Sequence, residues 1–273
     1  MQHQHDSAPS PDLRIVAVES LFPHEEHDSQ RAKPLIEKMK SAETIINPPI
    51  VASIDASRFV ILDGANRCHV FRHLQYPHIL VQVASYDTGY VNLSTWNHVI
   101  SDWDTGAFVE TIKQLPDVEI HDGQDKNALA HIIIRSGQVL AIKAPVENTH
   151  ERNAVLRKLV HIYQRNAHLY RTALNEPQEV WTFFPDAIAM AIFPDYTPAD
   201  IIAAAKYQAY LPAGISRHII QGRALKLHYP MSILRDENTR ITEKNLELQT
   251  WFKDKLANRQ VRYYAESTYQ FDE

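Results

Sequence analysis

The stretch ILDGANRCHVFRHL, residues 61 to 74, runs from apolar residues through an Asp-Gly turn into a helical pattern. Backbone N–H groups at a helix start have no partner inside the helix, and the helix dipole favours negative charge there. Asp63, Gly64, Ala65, Asn66 and Arg67 therefore form a mouth that can hold an anion. Gly64 lets the chain approach closely, Arg67 brings a planar and always charged donor set, and Asn66 can donate through its amide. Asp-Gly is also among the commonest turn dipeptides, and no P-loop or Rossmann glycine pattern accompanies it here. Local sequence leaves a plain turn and an anion site both open. In PHEEHDSQR, residues 23 to 31, Glu25 and Glu26 each offer a carboxylate that can accept a proton, and a solvated acidic loop is the plainer reading. HQH near the start and PHEEH have metal-ligand residue types but no matching second pair, so no structural metal is expected.

The elements that carry these residues follow from hydrophobic periodicity. LRIVAVESLF reads as a strand and turn, and SQRAKPLIEKMKSAE as a helix with Leu35, Ile36 and Met39 on one face. NPPIVASID and SRFVILDG are short β runs, DGANRCHVFRHLQYP is a helix that must stop near Pro77, and HILVQVASY is another strand. After a mobile segment 1–12, residues 13–86 thus form an α/β module in the order strand, helix, strand, strand, helix, strand. Residues 87–273 read as a second, mixed α/β lobe. It holds an extended YVNLSTWNHVI, a short helix in GAFVETIKQL, a hairpin in AHIIIRSGQVLAIK and a long amphipathic helix in NTHERNAVLRKLVHIYQRNAHLY. A buried strand DAIAMAIF precedes a helix capped by Thr197, with Pro198 and Asp200 in its first turn. Two β runs in AGISRHIIQGRALKLHYP follow, then a helix and a final strand in TEKNLELQTWFKDKLANRQVRYYAESTYQF.

With 44% hydrophobic and 22% charged residues, 273 positions suffice for two globular lobes. A net charge of −5 gives no footprint for sequence-independent nucleic-acid binding. The single cysteine, Cys68, rules out an intrachain disulfide and a cysteine zinc site, fits a reducing compartment, and reads as a small buried residue. The amino terminus lacks an apolar signal region and no run approaches a membrane span, so a cytoplasmic protein without a membrane or nucleic-acid partner is expected.

The strand, Asp-Gly-x-x-Arg and helix junction within its α/β module resembles the nucleotide-binding fold shared by the ParB amino-terminal domain and sulfiredoxin, where the junction binds a nucleotide phosphate. PHEEHDSQR, LSTWNH (93–98), LPAGISRHIIQGRALKLHYP (211–230) and DKLANRQVRYYAES narrow the likeness to the free L-serine kinases of that superfamily. The resemblance implies phosphorylation of free L-serine to O-phospho-L-serine with ATP or ADP and Mg²⁺, as in siderophore-precursor or cysteine biosynthesis. It implies Glu25 as the catalytic base, and Asp63 as a second functional acid that helps hold Mg²⁺ or orients the junction. It gives Gly64, Ala65, Asn66, Arg67 and Arg31 to the nucleotide. Trp96 and His98 would wall the serine pocket, Ser216 and Arg217 would meet the amino acid, and Arg223 would support them or bind phosphate. That pocket would lie between the lobes. The chain departs from the pattern at Asn66, where these kinases usually carry His, and at Ala65, where sulfiredoxin carries its catalytic Cys; Cys68 lies one turn further on, which argues against sulfiredoxin chemistry. The alternative is a ParB-like nucleotide-binding regulatory or partner-binding protein without kinase activity. It would call for a helix-turn-helix after the first module and a basic surface, and the sequence displays neither.

Overall fold

The computed structural model describes residues 10–26, 29–145 and 148–264. The chain is mixed α/β, as its periodicity predicts, and divides into two compact units. One comprises Met1–Phe22, His27–Asn92 and Ile219–Glu273, so far as these are described, and the other Pro23–Glu26 and Leu93–His218.

The first unit is built on a five-stranded sheet in the order Asp12–Ala17, His78–Val83, Ile50–Ser53, Phe59–Asp63, Leu21–Pro23. His78–Val83 runs antiparallel to Asp12–Ala17 and parallel to Ile50–Ser53, so it is an interior strand, and its Ile79, Leu80 and Val81 are 0% exposed. A strand covered on both faces must read as a continuous apolar run, which is what HILVQV does except at His78, its first residue, and Gln82. Phe59–Asp63 feeds through Gly64 directly into the helix Ala65–His73, whose Val70 and Phe71 enter the core.

This unit closes with residues from far along the chain. Tyr229, Met231, Leu234 and Leu248 belong to the same core as Val51, Ile61 and Leu80. On the helix Ile241–Ala257, Asn245 accepts from the Ile15 N–H at 2.9 Å and donates to its carbonyl at 2.8 Å, so a side-chain amide continues the ladder beside the edge strand. Lys244 on the same helix is 0% exposed, and its ammonium donates to the carbonyls of Ile233 and Asp236 and meets His78 Nδ1. A single cut near residue 86 therefore does not describe the division: the last part of the chain returns to complete the first core.

The second unit has a six-stranded sheet in the order His168–Thr172, Asn97–Ser101, Ala187–Ile192, Ala130–Ile134, Val139–Lys143, Glu119–Asp122, antiparallel throughout. The hairpin, the buried strand and the long helix Thr149–Asn166 lie where the sequence predicts them. The helix Pro198–Lys206 starts with a reciprocal capping box, Thr197 accepting from the Asp200 N–H and Asp200 accepting from the Thr197 N–H. Two predicted strands differ. After Ser216–Ile220, which pairs with Val91–Thr95, residues 221–228 are irregular and only Tyr229–Pro230 forms a short bridge to Thr44–Ile45. Residues 258–264 follow the last helix without regular structure, and the rest of the predicted final strand lies outside the described residues. The segment 1–12 is described only from residue 10. No described helix is long and apolar enough to cross a membrane.

Candidate active site

In the second unit, residues 24 to 26 run extended beside Leu211: the Leu211 N–H donates to the His24 carbonyl at 2.9 Å and the Glu26 N–H to the Leu211 carbonyl at 2.9 Å. This short bridge directs the Glu25 side chain at the loop 213–216. Its Oε2 accepts from the Gly214 N–H at 2.6 Å, and its Oε1 accepts from both the N–H and the hydroxyl of Ser216, each at 2.6 Å. His24 Nε2 lies 2.7 Å from the same Ser216 Oγ. Ser216 has one hydroxyl proton, so in donating to Glu25 it accepts from the imidazole N–H. With its side chain only 15% exposed and three donors on it, Glu25 is not a solvated loop acid. Glu26 differs: it pairs with Arg157 at 3.3 Å and His161 at 3.0 Å, both on the long helix.

The loop that holds Glu25 is itself held from behind. Gly214 has φ +77°, and a Cβ there would lie 1.9 Å from the Arg171 guanidinium carbon, which packs directly on the backbone. Arg171 also donates to the Ala213 carbonyl at 3.1 Å. Gly214→Ala must therefore both adopt a left-handed conformation and displace Arg171. A loss of at least about 1–2 kcal/mol of stability, from the left-handed backbone alone, is expected in thermal denaturation.

Of the residues given to the amino acid, Arg217 meets Trp96, while the Ser216 hydroxyl faces Glu25 and His24. The Arg217 guanidinium lies over the half-buried Trp96 ring, 4.4 Å from its centroid, and the Trp96 N–H donates to the Ile215 carbonyl at 2.7 Å. His98 does not join them at a surface. It is 0% exposed, packed edge-on against Phe193, with Nδ1 2.8 Å from the Tyr163 hydroxyl and Nε2 facing the Gly214 carbonyl at 3.5 Å. Burial, with the Arg171 charge beside it, pushes its pKa down to about 3, so the imidazole is neutral and acts as a prop beneath the loop.

The phosphate-type residues belong to the first unit. Gly64 caps the helix Ala65–His73 at φ +88°, and a Cβ on it would come within 3.0 Å of Pro49 Cβ. No side chain caps the first turn, whose N–H groups are thus left for a ligand or solvent. Arg67 donates to the Asn47 carbonyl at 2.7 Å, fixing the guanidinium beside the mouth with no acidic partner among the described residues. Asn66 Oδ1 is buried with no hydrogen-bond partner among the described residues. Asp63 accepts from Arg223, with side chains 41% and 37% exposed. Arg31 lies on the helix Ser29–Ser41, its side chain outside the described residues. Burial pushes the Cys68 thiol up to about 12, which makes it an inert core residue.

Among the described residues no cluster of three or more His, Cys, Asp or Glu could hold a metal. A Mg²⁺ carried by phosphates and water takes one or two protein carboxylates, and Asp63 at the helix mouth meets that requirement. The donor set fits a nucleotide-borne Mg²⁺ and not a protein cage. Sequence reasoning missed His24, Arg171 and Gln82. Only Gln82 left a signal, as the polar residue within an apolar strand.

No family model matches the chain. It is 23% identical over 275 residues to the ATP-dependent L-serine kinase SbnI of Staphylococcus aureus, covering 98% of both chains. An 83-residue stretch, 30% of this chain and 33% of the relative, is 31% identical to the ATP-dependent L-serine kinase of Staphylothermus marinus. Among solved structures, C-terminally truncated SbnI from Staphylococcus aureus superposes with a TM-score of 0.71 at 20% identity, over 96% of this chain and 100% of that one. A free serine kinase in complex with AMP gives 0.70 at 15% identity, over 85% and 98%. At these identities the superpositions show a shared fold.

Proposed function

We propose that the chain is an ATP-dependent L-serine kinase that transfers the terminal phosphoryl group of ATP to the hydroxyl of free L-serine, giving O-phospho-L-serine and ADP. The observation that carries this reading is the Glu25 carboxylate, fixed by backbone N–H groups and already accepting from a serine hydroxyl at 2.6 Å. A group held this way takes the proton of an alcohol as its oxygen attacks phosphorus. SbnI, whose name states the same activity, supports the reading along almost the whole chain.

The remaining roles follow from chemistry. Arg67 and the N–H groups at the start of Ala65–His73, with Asn66, bind the nucleotide phosphates, and Arg31 assists. Asp63 would hold a Mg²⁺ bound with the nucleotide, which would neutralise phosphate charge. Arg217, oriented by Trp96, grips the serine carboxylate by paired hydrogen bonds, and Ser216 meets the amino acid. The single, buried cysteine agrees with a cytoplasmic setting.

Mass spectrometry of the full chain incubated with L-serine, Mg²⁺ and either ATP or ADP tests the reading and identifies the donor. O-phosphoserine with ATP is the expected product. Its absence with both nucleotides leaves a nucleotide-binding regulator. Arg67→Ala is expected to weaken Mg·ADP binding by roughly 1.5–3 kcal/mol in calorimetry, the range for hydrogen bonds to charged groups. Unchanged affinity returns the Asp-Gly junction to a plain turn.

A further inference from the structure

The Asp63–Arg223 pair lies partly exposed, and such a pair contributes little by itself, because the long arginine gives up conformational freedom to stay in one geometry. Arg223 also sits in the irregular segment 221–228, where Gly222, Lys226 and His228 all have positive φ. Something must hold this backbone if Arg223 is to meet Asp63 reproducibly.

Gln82 does so from the interior strand His78–Val83. It is 5% exposed, its amide Nε2 donates to the Gly222 carbonyl at 3.0 Å, and its Oε1 accepts from the Ala224 N–H at 2.8 Å. Both hydrogen bonds fall on the residues flanking Arg223, so one buried side chain serves as a strand partner for the backbone on either side of it. The Gln82 main chain adds a second tie: its N–H donates to the carbonyl of Pro49, the residue against which Gly64 packs. Asn47 repeats the arrangement further along. Its side chain accepts from the Lys226 N–H at 2.9 Å, while its carbonyl accepts from Arg67 at 2.7 Å. A buried polar side chain in an interior strand is costly unless both its donor and its acceptor are satisfied, and both ends of Gln82 are satisfied by this loop alone.

We infer that Gln82 is a positioning residue for the nucleotide site, acting through Arg223: by clamping residues 222 and 224 it presents the guanidinium to Asp63 and to the phosphates beside it. The inference rests on the reading of Asp63 and Arg223 as part of the nucleotide site.

The test is a double-mutant cycle on the full chain with Mg·ADP as the calorimetric probe. Gln82→Met keeps the volume and loses both hydrogen bonds, and it is expected to weaken binding about tenfold, the scale of one or two neutral hydrogen bonds. Arg223→Ala weakens binding by at least as much, and Gln82→Met adds less than a twofold loss in the Arg223→Ala background, because the group it positions has gone. A purely structural glutamine gives the same tenfold loss in both backgrounds, and that result overturns the inference. Ala224→Pro removes one of the two clamp hydrogen bonds without touching the core, so it repeats the cycle should Gln82→Met fold poorly, with melting temperatures recorded for every variant. Should Arg223→Ala bind Mg·ADP like wild type, the inference falls, while O-phosphoserine formation by the wild-type chain still decides the kinase reading independently.

Discussion

Glu25→Gln is expected to lower kcat for L-serine phosphorylation by about 10²–10⁴-fold, the usual scale of a general base, while Mg·ADP affinity stays close to wild type. The amide oxygen can keep both hydrogen bonds from Ser216, but the amide N–H₂ then faces the Gly214 N–H, and no group remains to accept the substrate proton. Because a base acts in the transition state, kcat should fall further than KM rises. Steady-state rates from O-phosphoserine formation, with the melting temperature as a control for the strained loop, make the comparison. Near wild-type kcat would remove Glu25 as the base. Glu26 would be a poor substitute, since it is already engaged by Arg157 and His161.

Arg217→Ala should act on KM for serine, raising it roughly 10- to 150-fold, equivalent to about 1.5–3 kcal/mol for hydrogen bonds to a charged group. Stacking on Trp96 at 4.4 Å fixes the guanidinium before substrate arrives, so little side-chain freedom is lost on binding. Serine amide, which lacks the carboxylate, should be a poor substrate of the wild type, and Arg217→Ala should discriminate little between serine and its amide. Retention of the wild-type preference by the mutant would show that the carboxylate is held elsewhere. Mg·ADP affinity should be unchanged, which separates this effect from a general loss of folding.

The alternation of strands and helices around the Asp-Gly junction was legible because Phe59–Asp63 and Ala65–His73 have strong, local patterns. So was the helix at Thr197, whose cap chemistry is written in consecutive residues. AGISRHIIQGRALKLHYP reads as two β runs, but within residues 221–228 Gln82 and Asn47 satisfy the backbone instead, and such distant partners leave no mark on local periodicity. Glu25 and Glu26 were equivalent in sequence. They separate only through partners 131 to 191 positions away, Arg157 and His161 for one and Gly214 and Ser216 for the other. His98 looked like a pocket residue beside Trp96, yet alternation along Asn97–Ser101 does not govern a strand covered on both faces, where every residue is buried.

The return of the chain to its first core has a consequence for how the molecule comes to exist on the ribosome. Leu93–His218 is nearly continuous and can form its six-stranded sheet as soon as it has emerged. The first unit, although it begins near the amino terminus, must wait for Tyr229, Met231, Leu234 and Leu248 to seal its core, and for Asn245 to reach Ile15, 230 residues earlier. Such long loop closure is slow and entropically demanding. The middle of the chain should therefore mature first. The helix mouth at Gly64 should acquire its nucleotide affinity only once Ile241–Ala257 has docked, so a nascent chain stalled before residue 241 should have an ordered second unit and no Mg·ADP binding.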